Sequence, residues 1–206
     1  MMPAKEYNLS FTAGGLLYRE SLVVVQQFGE LLDWHSVRES VRADNLLQAR
    51  TQNSARRILQ EIVLRLKHLT EGQFELLLSG SPSEQRSLLW VAICKRYDLI
   101  REFASEIVRE KFMAMNHELF PYEYDAFFEN KAATHPEMKK ISKSTRNKLR
   151  QVVFKMLREA GLITEKNMIQ PVLLTHNLAD VIIRDNPGLL AIFPISDADI
   201  KGWVKK

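Results

Sequence analysis

Between Leu149 and Ala160, apolar side chains recur at spacings of three and four: Leu149, Val152, Val153, Met156, Leu157 and Ala160. A strand alternates faces at every residue and cannot bury such a set together, whereas a helix places all six on one stripe. Gly161 follows and suits a left-handed helix stop. Upstream, Tyr122 to Lys131 reads as a helix, and Pro136 opens a short one through Ile141. Ser142 and Ser144 offer hydroxyls to cap the start of the long helix. Downstream, GLITEKNMIQPVLLT reads as two short strands, 162–164 and 169–174, around a polar turn at Glu165, Lys166 and Asn167. Three helices followed by a hairpin predict a winged helix-turn-helix.

The opposite face of that long helix is basic. Lys139, Lys140, Lys143, Arg146, Lys148, Arg150, Lys155 and Arg158 fall within twenty residues that contain no acid. They contribute +8 to a chain whose formal charge is +4, so the rest sums to about −4. Such local concentration suggests a polyanion-binding surface. With Leu149 at the origin of a helical wheel, Ser144, Asn147, Lys148, Gln151, Lys155 and Arg158 fall opposite the stripe. Arg146 and Arg150 flank it. Asn147 and Gln151 have the donor–acceptor pairs that read adenine, and Arg146 or Lys148 could reach guanine. Lys139, Lys140 and Lys143 would lie near a phosphate backbone, with Lys166 at the wing tip. A merely solvated basic face is the competing reading. On the duplex reading, reversing Lys148, Arg150 and Lys155 to Glu abolishes binding and leaves the fold intact. Phe154 lies off the stripe, either packed on the preceding helix or exposed as a wedge.

The first 115 residues read as helix after helix. LLYRESLVVVQQFGELL follows Gly14 and Gly15, a second helix covers His35 to Leu47, and a third runs from about Asn53 to Leu69. Ile58, Leu59, Ile62, Leu66 and Leu69 keep helical spacing in the third, with Asn53 or Ser54 as its cap. A short helix spans Gln73 to Leu78. SGSPSEQ then supplies Ser81 or Ser83 as a cap, and Pro82 and Glu84 for a first turn. Helix continues, through a further segment after Asp98, to about Met115. Glu61 and Arg65, four apart, suggest a surface pair. Arg50, Arg56 and Arg57 form a possible second nucleic-acid contact, against the alternative of a solvated face. The expected architecture is mostly α: an all-α domain over 1–115, then over 116–206 a winged helix-turn-helix with a small β-hairpin and C-terminal helices. His176 to Arg184 and the segment SDADIKGWVKK, capped by Ser196 or Asp197, supply those last helices.

Other chemistry finds little support. The five histidines are scattered and none sits at metal-ligand spacing from another His or from Cys94, so no metal and no cofactor is expected. Gly14-Gly15 lacks the residues of a phosphate loop. Glu129-Asn130-Lys131 and Glu137-Met138-Lys139, with Asp125 upstream, echo a nuclease triplet, but they fall in predicted helices rather than on a core strand. Cys94, in the apolar run LLWVAICKRY, reads as a core residue, as do Trp34, Trp90 and Trp203 in the core or between domains. A lone cysteine, no signal-like apolar segment at the start and no run long enough to span a bilayer lead to an expectation of a soluble cytoplasmic protein.

The blocks YNLSFTAGGLLYRES (7–21), DWHSVRESV (33–41) and NLLQARTQNSARRILQEIVLRLKHL (45–69) resemble the BrxA family of BREX phage-defence systems. The likeness covers most of the chain. It implies a NusB-like helical region followed by a winged helix, and a non-enzymatic accessory protein that binds double-stranded DNA beside other BREX subunits. Two alternatives stay open: an RNA-binding, antitermination-like factor, or a protein-interaction scaffold.

Overall fold

The computed structural model describes residues 6–11 and 14–204, and these are mostly helical. The elements are α1 (Tyr18–Leu31), α2 (Trp34–Ala43), α3 (Gln52–Leu66), α4 (Glu71–Ser79), α5 (Pro82–Arg96), α6 (Asp98–Phe103), α7 (Glu110–Met113), α8 (Pro121–Thr134), α9 (Pro136–Lys139), α10 (Lys143–Glu159), α11 (His176–Asp185) and α12 (Asp197–Val204). A π-helical segment, Ala104–Arg109, joins α6 to α7, and a 3₁₀ helix, Pro187–Ile192, follows α11.

Local chemistry sets most of these boundaries. Ser81 caps α5, with Pro82 in the first turn and the Glu84 carboxylate returning to the Ser81 N–H at 2.8 Å, a reciprocal capping box. Thr70 and Gln73 form the same device at α4. The cap of α3 is Thr51, whose hydroxyl accepts from the Ser54 N–H, rather than Asn53 or Ser54. Ser142 caps α10, and Gly161 ends it with φ at 78°. Ser196 accepts from the Asp199 N–H at the start of α12.

One buried apolar cluster runs through both halves of the chain, from Tyr7 to Ile195. It includes Trp90, Tyr97, Phe103 and Tyr124, all fully buried, and Cys94, whose thiol is pushed up in pKa by burial. The last third of the chain returns to the first. The Trp90 indole donates to the Ile192 carbonyl at 3.2 Å. Gln73 reaches the Val181 carbonyl and Asp185, while Lys95 meets Asp185 at 2.7 Å. Arg109 pairs with Asp197.

Two further expectations change. Glu61 and Arg65 do pair, at 2.7 Å, but both are buried. Tyr97 also donates to Glu61 at 2.5 Å, and Arg65 donates to the Gly15 carbonyl at 2.9 Å. The pair is an interior strut rather than a surface ornament. Residues 162–174 form no named strand; they carry an isolated antiparallel bridge between Ile163 and Ile169. The reason is competition for backbone partners. The Thr164 N–H donates to Met168 and the Gln170 N–H to Leu162, but the Ile169 N–H goes to His117, and Leu119 donates to Asn167. The second arm is thus shared between two neighbours, and Pro171, which has no N–H, stops the pairing.

Candidate nucleic-acid interface

The basic run folds as α9, a turn over residues 140–142, and α10. The stripe Leu149, Val152, Val153, Met156 and Leu157 is buried as its spacing requires. Phe154 is buried too, at 4% exposure, with its ring centroid 6.5 Å from that of Phe103 in α6. It is a packing residue, and the wedge reading falls away.

The eight cations divide into two groups. The arginines are engaged inside the protein. Arg146 pairs with Glu129, donates to the Asp125 carbonyl at 2.6 Å, and stacks over Phe128 with 5.0 Å to the ring centroid. Arg150 pairs with Asp125. Arg158 lies 3.8 Å from Glu165 and donates to Asn167 Oδ1 at 3.1 Å, which holds the 164–168 turn against the end of α10. The partners Asp125 and Glu129 come from α8. An acid-free stretch of sequence is therefore not acid-free in space.

The lysines are different. Lys139, Lys140, Lys143 and Lys148 are exposed and form no ion pair among the described residues. Lys155 is exposed, with Glu159 at 3.6 Å one turn on. Lys166 is exposed at the tip of the 164–168 turn, beside Asn167, whose φ is 60°. Ser144 and Gln151 are also exposed. Asn147 is only partly so, because it lines a cleft of about 560 Å³ between α8, α9 and the start of α10. Asp125, Glu129, Lys139, Lys143 and Arg146 share that cleft. The open lysines gather toward the N-terminal half of α10, where the helix dipole adds positive potential.

Glu159 has a further role that spacing did not reveal. Its carboxylate accepts the Leu16 N–H at 2.5 Å. A Cβ on Gly15 would lie 1.9 Å from the same oxygen, so only glycine admits the carboxylate here. With Arg65 on the Gly15 carbonyl, the loop before α1 is clamped between α3 and α10.

Arg50 and Arg56 line a second concavity, of about 610 Å³, together with Arg42 and the Thr51 cap of α3. No carboxylate lines it, and these three arginines form no ion pair among the described residues. Arg57 is exposed but does not line it. Arg42 lies in the last turn of α2, Arg50 in the loop before the Thr51 cap and Arg56 in α3, so only the fold brings the three together.

Among the described residues, no group of three or more His, Cys, Asp or Glu side chains is arranged to hold a metal ion. Both Glu-x-Lys triplets lie in helices, α8 and α9, and Lys131 pairs with Glu102 at 2.7 Å and Glu106 at 2.8 Å. No described helix is long and apolar enough to cross a membrane.

Fold and surface define an all-helical protein with a short helix, a turn and a long helix whose outer edge carries open lysines. The BrxA family model matches residues 5–186, and the chain belongs to that family. Its relatives include the BREX protein BrxA of Escherichia coli O9:H4 strain HS, 29% identical over 150 residues, covering 73% of this chain and 70% of that protein. The BREX protein BrxA of Bacillus cereus strain H3081.97 is 25% identical over 163 residues, covering 79% and 82%. The crystal structure of an uncharacterized protein from Magnetospirillum magneticum shares the fold, with a TM-score of 0.79 at 22% identity, over 93% of this chain and all of that one.

Proposed function

We propose that the protein is a non-enzymatic DNA-binding accessory component of a BREX system, in which α10 and the 164–168 turn meet duplex DNA. One observation carries this reading: Lys139, Lys140, Lys143 and Lys148 stand exposed, with no ion pair among the described residues, around one end of a long helix. Lysines left open beside arginines that are all engaged make a surface suited to phosphates. Residues 116–170 act as a reduced winged helix, with the hydrogen-bonded turn carrying Lys166 as the wing. Binding is dominated by backbone contacts and has modest sequence preference.

Duplex binding followed by fluorescence anisotropy across a salt series tests this. Roughly five phosphate contacts give a log–log slope of about −4 to −5. A variant with Lys139, Lys143, Lys148 and Lys155 all changed to Gln should lose most of its affinity and flatten the slope. Arg150 is excluded from that set, because it pairs with Asp125 and its loss would take away that carboxylate's nearer cation, while reversal to Glu would set two carboxylates face to face and threaten the fold. A well-folded quadruple variant that binds like wild type overturns the proposal.

The concavity of Arg42, Arg50 and Arg56 favours a second reading, nucleic-acid contact by the N-terminal helices, single-stranded RNA included. Retained RNA binding in the quadruple variant, lost on changing Arg50 and Arg56 to Gln, would select it. Failure to bind either nucleic acid leaves the scaffold role.

A further inference from the structure

The geometry points to a docking groove, on the opposite chemistry to the lysine face, for a basic amphipathic segment of a partner protein. The groove lies between the end of α1 and α4, has a volume of about 430 Å³, and is lined by Phe28, Leu32, Trp34, Leu69, Phe74 and Leu78. Its floor is aromatic: Phe28 stacks on Trp34 with centroids 4.0 Å apart, and Phe74 meets Phe28 edge-on at 5.1 Å. Its lip is aliphatic and open. Leu32 is 76% exposed and Leu78 43%.

Leu32 is costly twice over. It holds a left-handed backbone, with φ at 53°, which glycine or asparagine adopts far more readily than leucine. It also leaves its side chain in water. The backbone cost is met in part by the helix cap, since the Leu32 N–H donates to the Phe28 carbonyl at 2.8 Å, but the exposed side chain gains nothing from that bond, whereas a partner's apolar side chain laid beside Leu32 would bury it.

Charge around the groove selects the occupant. Glu71 and Glu75 line it, one turn apart on α4, and neither forms an ion pair among the described residues. Glu30 and Asp33 flank Leu31 and Leu32 and are exposed. Lys67 alone opposes these four acids along the lining. An apolar, aromatic trough under a mostly acidic rim matches a helix or turn that presents bulky apolar residues between lysines or arginines. The inference is independent of DNA binding, since the groove shares no residue with the α10 surface.

The test uses the full chain and a dye-labelled leucine–lysine peptide of about 15 residues, with leucines at helical spacing, as the stand-in partner. Wild type should bind with a Kd of roughly tens of micromolar. Leu32→Asn, which suits the left-handed backbone and removes the apolar lip, should weaken binding about tenfold at undiminished thermal stability. Glu75→Lys should weaken it comparably, and Lys148→Gln should leave it unchanged. No binding by wild type, or equal binding by wild type and both groove variants, overturns the proposal. So does a concentration-dependent dimer in sedimentation that Leu32→Asn dissolves, because the groove would then be an interface between copies of this chain.

Discussion

Glu129→Gln should make the protein bind duplex DNA more tightly. Glu129 is 67% exposed and pairs with Arg146 at the edge of the proposed interface. Arg146 does not depend on it for placement. The Asp125 carbonyl, 2.6 Å away, and the face of Phe128 hold the guanidinium from other sides. A phosphate reaching Arg146 would sit about 7 Å from the Glu129 carboxylate, where two like charges in a water-like medium repel by roughly 0.6 kcal/mol. Removing that repulsion gives about a threefold gain in affinity at low salt, shrinking as the screening length falls below the separation. If Arg146 then joins the phosphate contacts, the salt slope should steepen by about 0.9. Folding stability should change by less than about 1 kcal/mol, as for other exposed pairs. Anisotropy titrations at two or more salt concentrations, with a Lys148→Gln control that must move the other way, supply the measurement. Unchanged or weaker binding by Glu129→Gln would refute the placement of α10 and α8 against DNA.

Three stability predictions rest on the same geometry. Gly15→Ala should cost about 1–3 kcal/mol, because it displaces the Glu159 carboxylate and orphans the Leu16 N–H; denaturant melts of Gly15→Ala with and without Glu159→Ala should show the double variant losing less than the two costs added together. Arg65→Met should cost about 2–3 kcal/mol by removing the nearer of two cations at buried Glu61, the other being Arg96 at 3.9 Å, and a melting temperature within a degree or two of wild type would contradict the strut reading. Thr175→Val removes both the cap of α11 and the hydroxyl that donates to Glu84 at 2.5 Å, for about 1–3 kcal/mol together near neutral pH. The Thr175 hydroxyl, with the N–H and hydroxyl of Ser81, holds the Glu84 carboxyl below its ordinary value. Its stabilisation is therefore present above that ordinary value and is lost as pH falls through the depressed one, so the cost of Thr175→Val should shrink in acid. An equal cost at pH 3 and pH 7 would rule this out.

The elements that local chemistry specifies were legible in the sequence. The stripe of α10, its stop at Gly161, and the Ser81–Pro82–Glu84 start of α5 depend on residues a turn or two apart. What escaped depends on distant chain. Glu61 and Arg65 look like a surface pair until Tyr97, at the junction of α5 and α6, donates to Glu61 in the interior. The eight cations look unopposed until α8 brings in Asp125 and Glu129. The expected hairpin contracts to a hydrogen-bonded turn because residues 117–119 compete for its second arm, and no rule of spacing in 162–174 encodes that competition.

The sorting of cations by type also bears on what α10 can recognise. Arginine's planar fork is the group that grips guanine through two parallel hydrogen bonds, but it is equally suited to a carboxylate. Here Arg146, Arg150 and Arg158 have met carboxylates or an amide within the protein. Lysine remains at the open edge, a hydrated and flexible charge that suits a phosphate and is indifferent to the base above it. Of the two amide side chains, Asn147 is drawn partly into the cleft with α8, which leaves Gln151 as the exposed amide on the helix. A face with many lysines and one free amide should bind most duplexes nearly alike. Replacing Gln151 with Ala should therefore change affinity by less than about threefold on random sequence, whereas a loss of about tenfold or more confined to one sequence would show that α10 reads bases after all.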